Sequence, residues 1–358
     1  MGPSSPGKIR TKLEDFFVDE VVPPRIAQAG EHLHIRIEKR GISTEEAVRR
    51  LTRGLGISPK VVGRCGRKDV RAVTRQWLSV TGVSETSVDE LALQDVTVIE
   101  HVRLPRKLRM GRFLGNRFRI RIRELGDGAL AKYARRLNEL TRRGLRNAIG
   151  EQRFGVAGVN ARIGSLLIAT KLEAALELLV ETDEGRDIQR IRQRLHKGRT
   201  QDALQLLGRR RAGFYVSAHQ SRIFNEVLDA RAEAFDQALD GDLLHHHKSG
   251  RLLALEAPEA QERVASFEFS PTGPLPGPNM PEVHGAAHQL EHPFIGEQTM
   301  SDQRQWFGCL GTRRPLRVPV LEAEAEEGFD ELGSYLELHF RLPPGAFGTQ
   351  VLVELAGG

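Results

Sequence analysis

A single carboxylate stands among cations in the stretch GRCGRKDVRAVTRQW, residues 63–77. Asp69 is its only acid, and the stretch holds five basic side chains: Arg64, Arg67, Lys68, Arg71 and Arg75. Nearby positive charge favours an ionised carboxylate, which can act as a nucleophile or as a base. The same cations would attract a polyanion. The pattern therefore predicts a catalytic acid beside a polyanionic substrate; the simpler alternative is a local ion pair with Arg67 or Arg71.

Histidines and glycines offer weaker candidates for chemistry. Three histidines are adjacent at 245–247, and His284, His288 and His292 have the spacing of one helical face. Gly285 and Pro293 argue against a continuous helix there, and no HExxH pattern is present. Paired glycines in GRFLG and GEQRFG match neither a P-loop nor a dinucleotide fingerprint. The sequence thus predicts no metal site and no cofactor.

The charge of the chain is unevenly distributed. The formal net charge is +6, yet residues 103–123 contain nine Arg or Lys and no acid, whereas EAEAEEGFDE at 322–331 is strongly acidic. Such asymmetry predicts a face for an anion, with nucleic acid the leading candidate, because arginine suits planar phosphate recognition and base stacking. The alternative is a solvated charged surface.

Length and composition exclude several classes of protein. The 358 residues allow one large domain or two medium ones, and no run approaches the roughly 18 apolar residues of a membrane span. The N-terminal segment has no apolar core like that of a secretory signal, and two cysteines, Cys65 and Cys309, cannot form a disulfide framework. We therefore expect a cytoplasmic protein. The lack of a long apolar surface stripe favours a monomer without protein partners.

Both ends of the chain contain segments that alternate apolar and polar residues, as strands do, together with segments typical of amphipathic helices. Apolar residues alternate in HLHIRIE at 32–38, in NRFRIRIREL at 116–125 and in SYLELHFRL near the C-terminus, and VTVIEHV at 96–102 predicts a further strand. In 116–125 the opposite face would display a row of arginines suited to a phosphate backbone: Arg117, Arg119, Arg121 and Arg123. Ser43 and Glu46 form a capping-box pattern that predicts the start of a helix.

The middle of the chain differs from its ends. Residues 157–235 read as mainly helical, and the proline and glycine cluster SPTGPLPGPNMP at 270–281 predicts a loop. A helical middle between α+β ends predicts an inserted domain.

The opening stretch closely resembles the catalytic motif of the TruD family of pseudouridine synthases, roughly G-x-K-D-x-x-A-V-T-x-Q-W. Further resemblances follow in family order: RKLRMGRFLGNRF before the second motif, NAIGEQRFG at 147–155 as that motif, then YVSAHQSRIFNEVLDAR, SPTGPLPG, GTRRPLRVP and PPGAFGTQVLVEL. The set spans nearly the whole chain. Ala148 and Ile149 depart from the pattern, because family members often carry aromatic residues there.

The resemblance implies a fold and a domain arrangement. The fold would be α+β, a pseudouridine synthase fold with a bent mixed or antiparallel sheet, plus an inserted α/β TruD-specific domain. Residues 1–156 and 306–358 would form the discontinuous catalytic domain, and 157–305 the insert, with a basic cleft between them and Asp69 at its base.

The resemblance also implies the reaction and its residues. The substrate would be tRNA, most simply uridine 13, with Asp69 as the catalytic group and no cofactor. Phe16 would line the active site, Asn147 would bond to the flipped base or to the carboxylate, and Phe347 would stack on the base. Stacking of this kind contributes roughly 1–3 kcal/mol. The charge pattern adds Lys68 as a substrate-binding residue, which with Arg67 would shield the Asp69 carboxylate from the phosphates of the RNA. The expected contacts to the RNA backbone come from basic residues: Arg67, Arg106, Lys107, Arg109, Arg119 and Arg121.

Two other functions fit parts of the sequence. A non-catalytic RNA-binding protein with this fold would explain the basic segments equally well, but it has no use for an acid at position 69. A metal-dependent RNA hydrolase would need converging carboxylate or histidine ligands, and the sequence shows no convincing cluster of them.

Overall fold

The computed structural model describes residues 7–24, 26, 29–126, 128–256, 258–296 and 306–357. The chain forms two compact units: Met1–Leu145 with Pro319–Gly358, called here the first unit, and Arg146–Val318, the second unit. The second unit begins before residue 157 and ends after residue 305, so it is wider than the predicted insert. Residue 305 itself lies outside the described residues.

The elements follow one another in an order that keeps strands at both ends. Residues 7–146 contain β1 Lys8–Ile9, β2 Phe16–Val21, β3 His32–Arg40, α1 Thr44–Gly54, β4 Gly63–Arg64, β5 Val73–Thr81, α2 Glu85–Asp89, β6 Val96–Leu104, β7 Gly115–Arg123, α3 Ala129–Arg143 and β8 Leu145–Arg146. The middle contains α4 Val159–Ile168, α5 Leu172–Thr182, α6 Arg186–Leu195, α7 Thr200–Leu207, α8 Arg209–Ala230, β9 Leu243–His246, β10 Leu252–Ala254, α9 Glu259–Ala265, β11 Phe269–Leu275, α10 Gly285–Ile295, β12 Thr312–Pro315 and β13 Arg317–Val318. The C-terminal part contains β14 Leu321–Asp330, β15 Gly333–Leu342 and α11 Gly348–Ala356. The fold class is α+β, as predicted.

The first unit is built on a mixed, mainly antiparallel sheet. Its strand order is β14-β15-β7-β2-β5-β3-β6, with β1 paired to β7 and β4 paired to β5. The β2–β5 pair is parallel, and the other pairs in this sheet are antiparallel. N-terminal strands and the C-terminal hairpin thus share one sheet, so the two ends of the chain form one core.

Helix α1 packs its apolar face on this sheet. Ser43 is its N-cap and accepts a hydrogen bond from the Glu46 amide at 3.0 Å, which confirms the predicted helix start. The core beneath it combines both elements: Leu33, Ile35, Ile37, Ala47, Val48, Leu51, Leu78, Val80, Val88 and Val96. The alternation predicted for 32–38 therefore points its apolar residues inward.

The arginine row of β7, Arg117, Arg119, Arg121 and Arg123, is paired with carboxylates. Arg121 Nε donates to Glu337 Oε2 at 2.5 Å, and Arg119 lies 3.9 Å from the same oxygen. Arg123, which is 3% exposed, bonds both Asp15 and Asp330. Strands β14 and β15 bring much of the acidic segment beside this row. The row is therefore largely neutralised within its own sheet, and its contact with an RNA backbone stays a prediction.

We expect Arg123→Ala to destabilise the protein by about 3 kcal/mol, because it leaves the fully buried Asp15 without its ion-pair partner. Arg117→Ala is the matched control on the same strand. Its pair with Glu322 is half exposed, so its loss should cost less than about 1 kcal/mol. Urea unfolding followed by circular dichroism measures both. Equal midpoints for the two variants would contradict the assignment of Arg123 to the core network.

The second unit combines helices with a small sheet. Helices α4 to α8 surround an apolar core, as the helical pattern of 157–235 predicts. The four-stranded sheet has the order β10-β9-β11-β12. The predicted loop at 270–281 is partly wrong, because β11 occupies 269–275. Its first half pairs with β9 and its second half with β12, so each proline of β11 has one strand neighbour and the missing N–H is tolerated.

Helix α10 corrects a second expectation. It spans Gly285–Ile295 with Pro293 inside, so the segment is continuous. Its Glu291 is 1% exposed and accepts hydrogen bonds from Arg313, which anchors the helix despite the proline. The helices of the described ranges include none that is both long and apolar enough to cross a membrane.

Candidate active site

Asp69 lies on the loop between β4 and β5, residues 65–72, called here the Asp69 loop. Its side chain is 43% exposed, and Arg10 Nη2 donates to Asp69 Oδ1 at 3.1 Å. The structure thus places the predicted catalytic carboxylate at the surface, where a substrate can reach it. Its ion-pair partner is neither Arg67 nor Arg71, but a residue 59 positions away.

Arg10 is a site residue that the sequence analysis missed. Its guanidinium carbon lies 4.1 Å from the centroid of the Phe16 ring, a cation–π distance. Its backbone has a φ of +59°, in the left-handed region, which costs a non-glycine residue roughly 1–2 kcal/mol. The ion pair and the ring contact together offset this cost. The sequence signal was weak, since Arg10 is one of 53 Lys and Arg residues.

Lys39 is a second missed residue, and it lies beneath the Asp69 loop. Its side chain is fully buried, and Nζ donates to the carbonyl oxygens of Asp69 at 2.6 Å and Ile42 at 2.7 Å. Burial lowers the pKa of the Lys39 ammonium to about 8; the charges of Asp69 and Glu45 oppose this shift, and that of Lys68 adds to it. The signal was available: Lys39 continues the inward register of Leu33, Ile35 and Ile37 in β3.

Lys68 holds the Asp69 loop from the inside. Its side chain is 3% exposed, its Nζ lies 2.6 Å from Glu20 Oε1, and its amide donates to Thr44 Oγ1 at 3.0 Å. The other Glu20 oxygen accepts from the Trp77 amide at 3.0 Å. The loop is therefore tied to β2, to α1 and to β5. Contact between Lys68 and substrate stays a prediction, since its charge is committed to a buried ion pair.

Phe16 and Phe347 differ in exposure. Phe16 is 1% exposed, with its ring under Arg10, so it supports the arginine from the core. Phe347 is 60% exposed and precedes α11. Its neighbour Gly348 packs so closely on Phe118 that an added Cβ would lie 2.6 Å from that ring. Phe118 also contacts Phe16 edge-on. The residue after Phe347 therefore packs on the same pair of aromatic rings that supports Arg10.

The predicted RNA-backbone cations fall into two groups. Arg106, Lys107 and Arg109 are exposed on residues 105–114, called here the basic loop. This loop is fixed to the segment before Asp69, because the Gly111 amide donates to the Cys65 carbonyl at 2.9 Å. Arg67 is also exposed and pairs with Glu45 at 2.8 Å. Arg119 and Arg121 belong to the paired row of β7.

Asn147 belongs to the second unit, where its polar groups are engaged locally. Its amide donates to the Leu316 carbonyl, its Nδ2 donates to Pro315 at 2.8 Å, and its Oδ1 accepts from Arg314. Ala148 and Ile149 pack against a small core around Phe224. The two residues that depart from the family's aromatic pattern are therefore partly buried against this core. Base recognition by Asn147 stays a prediction.

One group of three side chains in the described ranges has metal-ligand spacing: Glu326, Glu337 and His339. Glu337 is already bonded by Arg121 at 2.5 Å and by His339 at 2.9 Å. The histidines of α10 are not part of this group, although the rings of His288 and His292 lie 5.3 Å apart. These ion-pair partners account for the acidic residues without a metal.

Comparison with known proteins gives matches over nearly the whole chain. The family model described as tRNA pseudouridine synthase D (TruD) matches residues 2–211 and 188–355. A tRNA pseudouridine synthase D from Geobacter sp. (strain M21) is 35% identical over 393 residues, covering 99% of this chain and 97% of the relative. The corresponding protein of Thermus thermophilus is 33% identical, with 99% and 89% covered. A crystal structure from Methanosarcina mazei, assigned as tRNA pseudouridine synthase D, has a TM-score of 0.76 at 25% identity, covering 98% of this chain and 94% of the other.

Proposed function

The chain belongs to the TruD family of tRNA pseudouridine synthases, and from that premise we propose that it isomerises uridine 13 of tRNA with Asp69 as the essential catalytic group. The observation that carries the proposal is the exposure of Asp69 and the contacts that hold it. Its carboxylate is exposed and oriented by Arg10, while its backbone is held from below by the buried Lys39. A carboxylate held in this way is suited to chemistry on a nucleotide brought to the surface of the loop.

The reaction needs one well-placed carboxylate. The bond between N1 of uracil and C1′ of ribose breaks, the base turns, and C5 bonds to C1′ while the C5 proton is lost and N1 gains one. No atoms are gained or lost overall, so the isomerisation requires no redox partner. Asp69 would attack the base or the sugar, or act as a base at the sugar. Each of these roles requires a flipped nucleotide against the Asp69 loop.

In this proposal Phe347 holds that base; its exposure and the packing of its neighbour Gly348 on Phe118 support the assignment. Stacking on such a ring tolerates any base and supplies roughly 1–3 kcal/mol. In this proposal Phe16 acts through Arg10, Lys68 positions the loop, and Asn147 positions its own turn in the second unit. The unit formed by both chain ends is the catalytic domain, and the second unit is the insert. The enzyme would act as a monomer in the cytoplasm.

The test is the position of the product. Purified protein is incubated with an unmodified tRNA transcript and with a matched transcript carrying cytidine at position 13, and pseudouridine is mapped by carbodiimide-blocked primer extension. We expect one new stop at position 13 in the first transcript and none in the second. A stop at another uridine would show that the protein modifies that position instead of uridine 13. No stop in any tRNA would favour a protein that only binds RNA.

A further inference from the structure

The first unit contains a pocket of about 970 Å³ beside the Asp69 loop, called here the basic pocket. It is an open depression bordered by α1, by the segment 59–64, by Arg67 and by the basic loop. Its lining residues are Glu45, Val48, Arg49, Pro59, Lys60, Val62, Gly63, Arg64, Arg67, Lys107, Leu108 and Met110. Arg67 belongs to the Asp69 loop itself, two positions before the carboxylate.

The lining combines an apolar floor with a cationic rim. Val48 and Leu108 are buried beneath the pocket, and Met110 is 65% exposed beside it. Five cations and one acid line the rim. That acid, Glu45, is already paired with Arg64 and Arg67, at 3.4 and 2.8 Å. The pocket therefore carries a net positive charge over an apolar surface.

Lys60 and Lys107 provide the uncompensated charge. Lys107 Nζ donates to the backbone carbonyl of Lys60 at 3.2 Å, which fixes the Lys107 ammonium beside the segment that carries Lys60. Among the described residues neither ammonium forms an ion pair with a carboxylate. Two such groups facing an apolar floor match a nucleotide, whose base is apolar on its faces and whose phosphates are anionic.

The backbone around the pocket is built for close approach. An added Cβ on Gly63 would lie 2.6 Å from the Leu108 carbonyl oxygen and 2.4 Å from Ser79 Oγ, so only glycine allows the basic loop to close on β4. The Leu108 amide also donates to Ser79 Oγ at 3.0 Å, and His34 Nε2 donates to the Arg106 carbonyl at 2.7 Å. The rim is thus anchored to the sheet and pre-organised before any ligand arrives.

We propose that the basic pocket binds a second, unpaired ribonucleotide of the RNA substrate, with its base on the apolar floor and its flanking phosphates on Lys60 and Lys107. This inference rests on the proposed function for the identity of the RNA. The pocket would hold the strand next to the target nucleotide while the target itself lies at Asp69. It assigns a role to Lys60 and Met110, which charge patterning alone does not single out.

The experiment measures binding without turnover. Fluorescein-labelled tRNA transcript is titrated, by fluorescence anisotropy and at several salt concentrations, with Asp69→Asn protein that also carries Lys60→Ala and Lys107→Ala. We expect Kd to rise about tenfold and the slope of log K against log salt to become shallower by about 1.5, the release expected for two lost phosphate contacts. Met110→Ala should weaken binding about threefold with an unchanged slope, since it removes apolar contact alone.

Arg53→Ala is the matched control, because Arg53 is an exposed cation on α1 outside the lining described above. It should bind like the parent. Wild-type affinity or an unchanged slope in the double variant would overturn the proposal, as would an unchanged Kd in Met110→Ala. Because binding is read in a protein that does not turn over, these results stand apart from the proposed function. If a protein that keeps Asp69 and carries the pocket substitutions modified uridine 13 normally, the pocket proposal would fail and the proposed function would stand.

Discussion

Asp69→Asn protein is expected to form pseudouridine at least about 10⁴-fold more slowly than wild type, with tRNA affinity retained. Asparagine has the same shape but no negative charge, so it can neither attack nor accept a proton as the carboxylate does. Because Asp69 is 43% exposed and its backbone contact with Lys39 does not involve the side chain, folding should be unaffected. Single-turnover assays with tritium release from C5 of uracil measure the chemical step directly.

Two variants sharpen this result. Asp69→Glu keeps the charge but moves it outward by one methylene, and a misplacement of about 1 Å costs on the order of 10²-fold. Asp89→Asn removes another exposed carboxylate of the first unit, paired with His101 at 3.0 Å, and should leave the rate unchanged. An Asp69→Asn enzyme within tenfold of wild type would exclude an essential role for this carboxylate.

Lys39→Met should lower kcat about 10²-fold while changing KM little. Methionine fills a similar volume but cannot donate, so the carbonyl oxygens of Asp69 and Ile42 lose their buried donor and the loop shifts under the carboxylate. Lys39→Gln retains a donor and should recover part of the rate. Lys8→Met is the control, because Lys8 is 66% exposed and forms a surface ion pair. A rise in KM with no change in kcat would contradict a role in positioning Asp69.

The pH profile separates positioning from general stability. The Lys39 ammonium has its pKa lowered to about 8 by burial, so it loses its proton as the pH rises through that value. The groups that influence its titration are Asp69, Glu45 and Lys68. Wild-type kcat should therefore fall above about pH 8, as the charge that holds the loop is lost. Lys39→Met should lack this decline, whereas a decline that arises from the substrate would appear in both proteins.

Much of the site's chemistry was predictable from local patterns. The lone acid in 63–77 and the collinear motifs predict Asp69 as the catalytic residue. The capping box at Ser43 marks the start of α1, and period-two alternation marks β3 and β7. These signals succeed because helix caps and strand faces depend on residues a few positions apart. Phe347 is exposed, and its role as a stacking surface stays a prediction.

The partners of the charged residues were decided by the tertiary structure alone. Arg121 pairs with Glu337, which is 216 residues away in the sequence, and Arg10 pairs with Asp69, which is 59 residues away. Which charges neutralise each other depends on strand order, which no local spacing encodes. The sequence by itself determined the family, through its collinear motifs, and from them it predicts Asp69 as the catalytic carboxylate. The tertiary structure decided that the arginines of β7 pair with carboxylates, that Lys39 and Arg10 hold Asp69, and that Lys60 and Lys107 have no carboxylate partner among the described residues, because ion pairing requires contact in space.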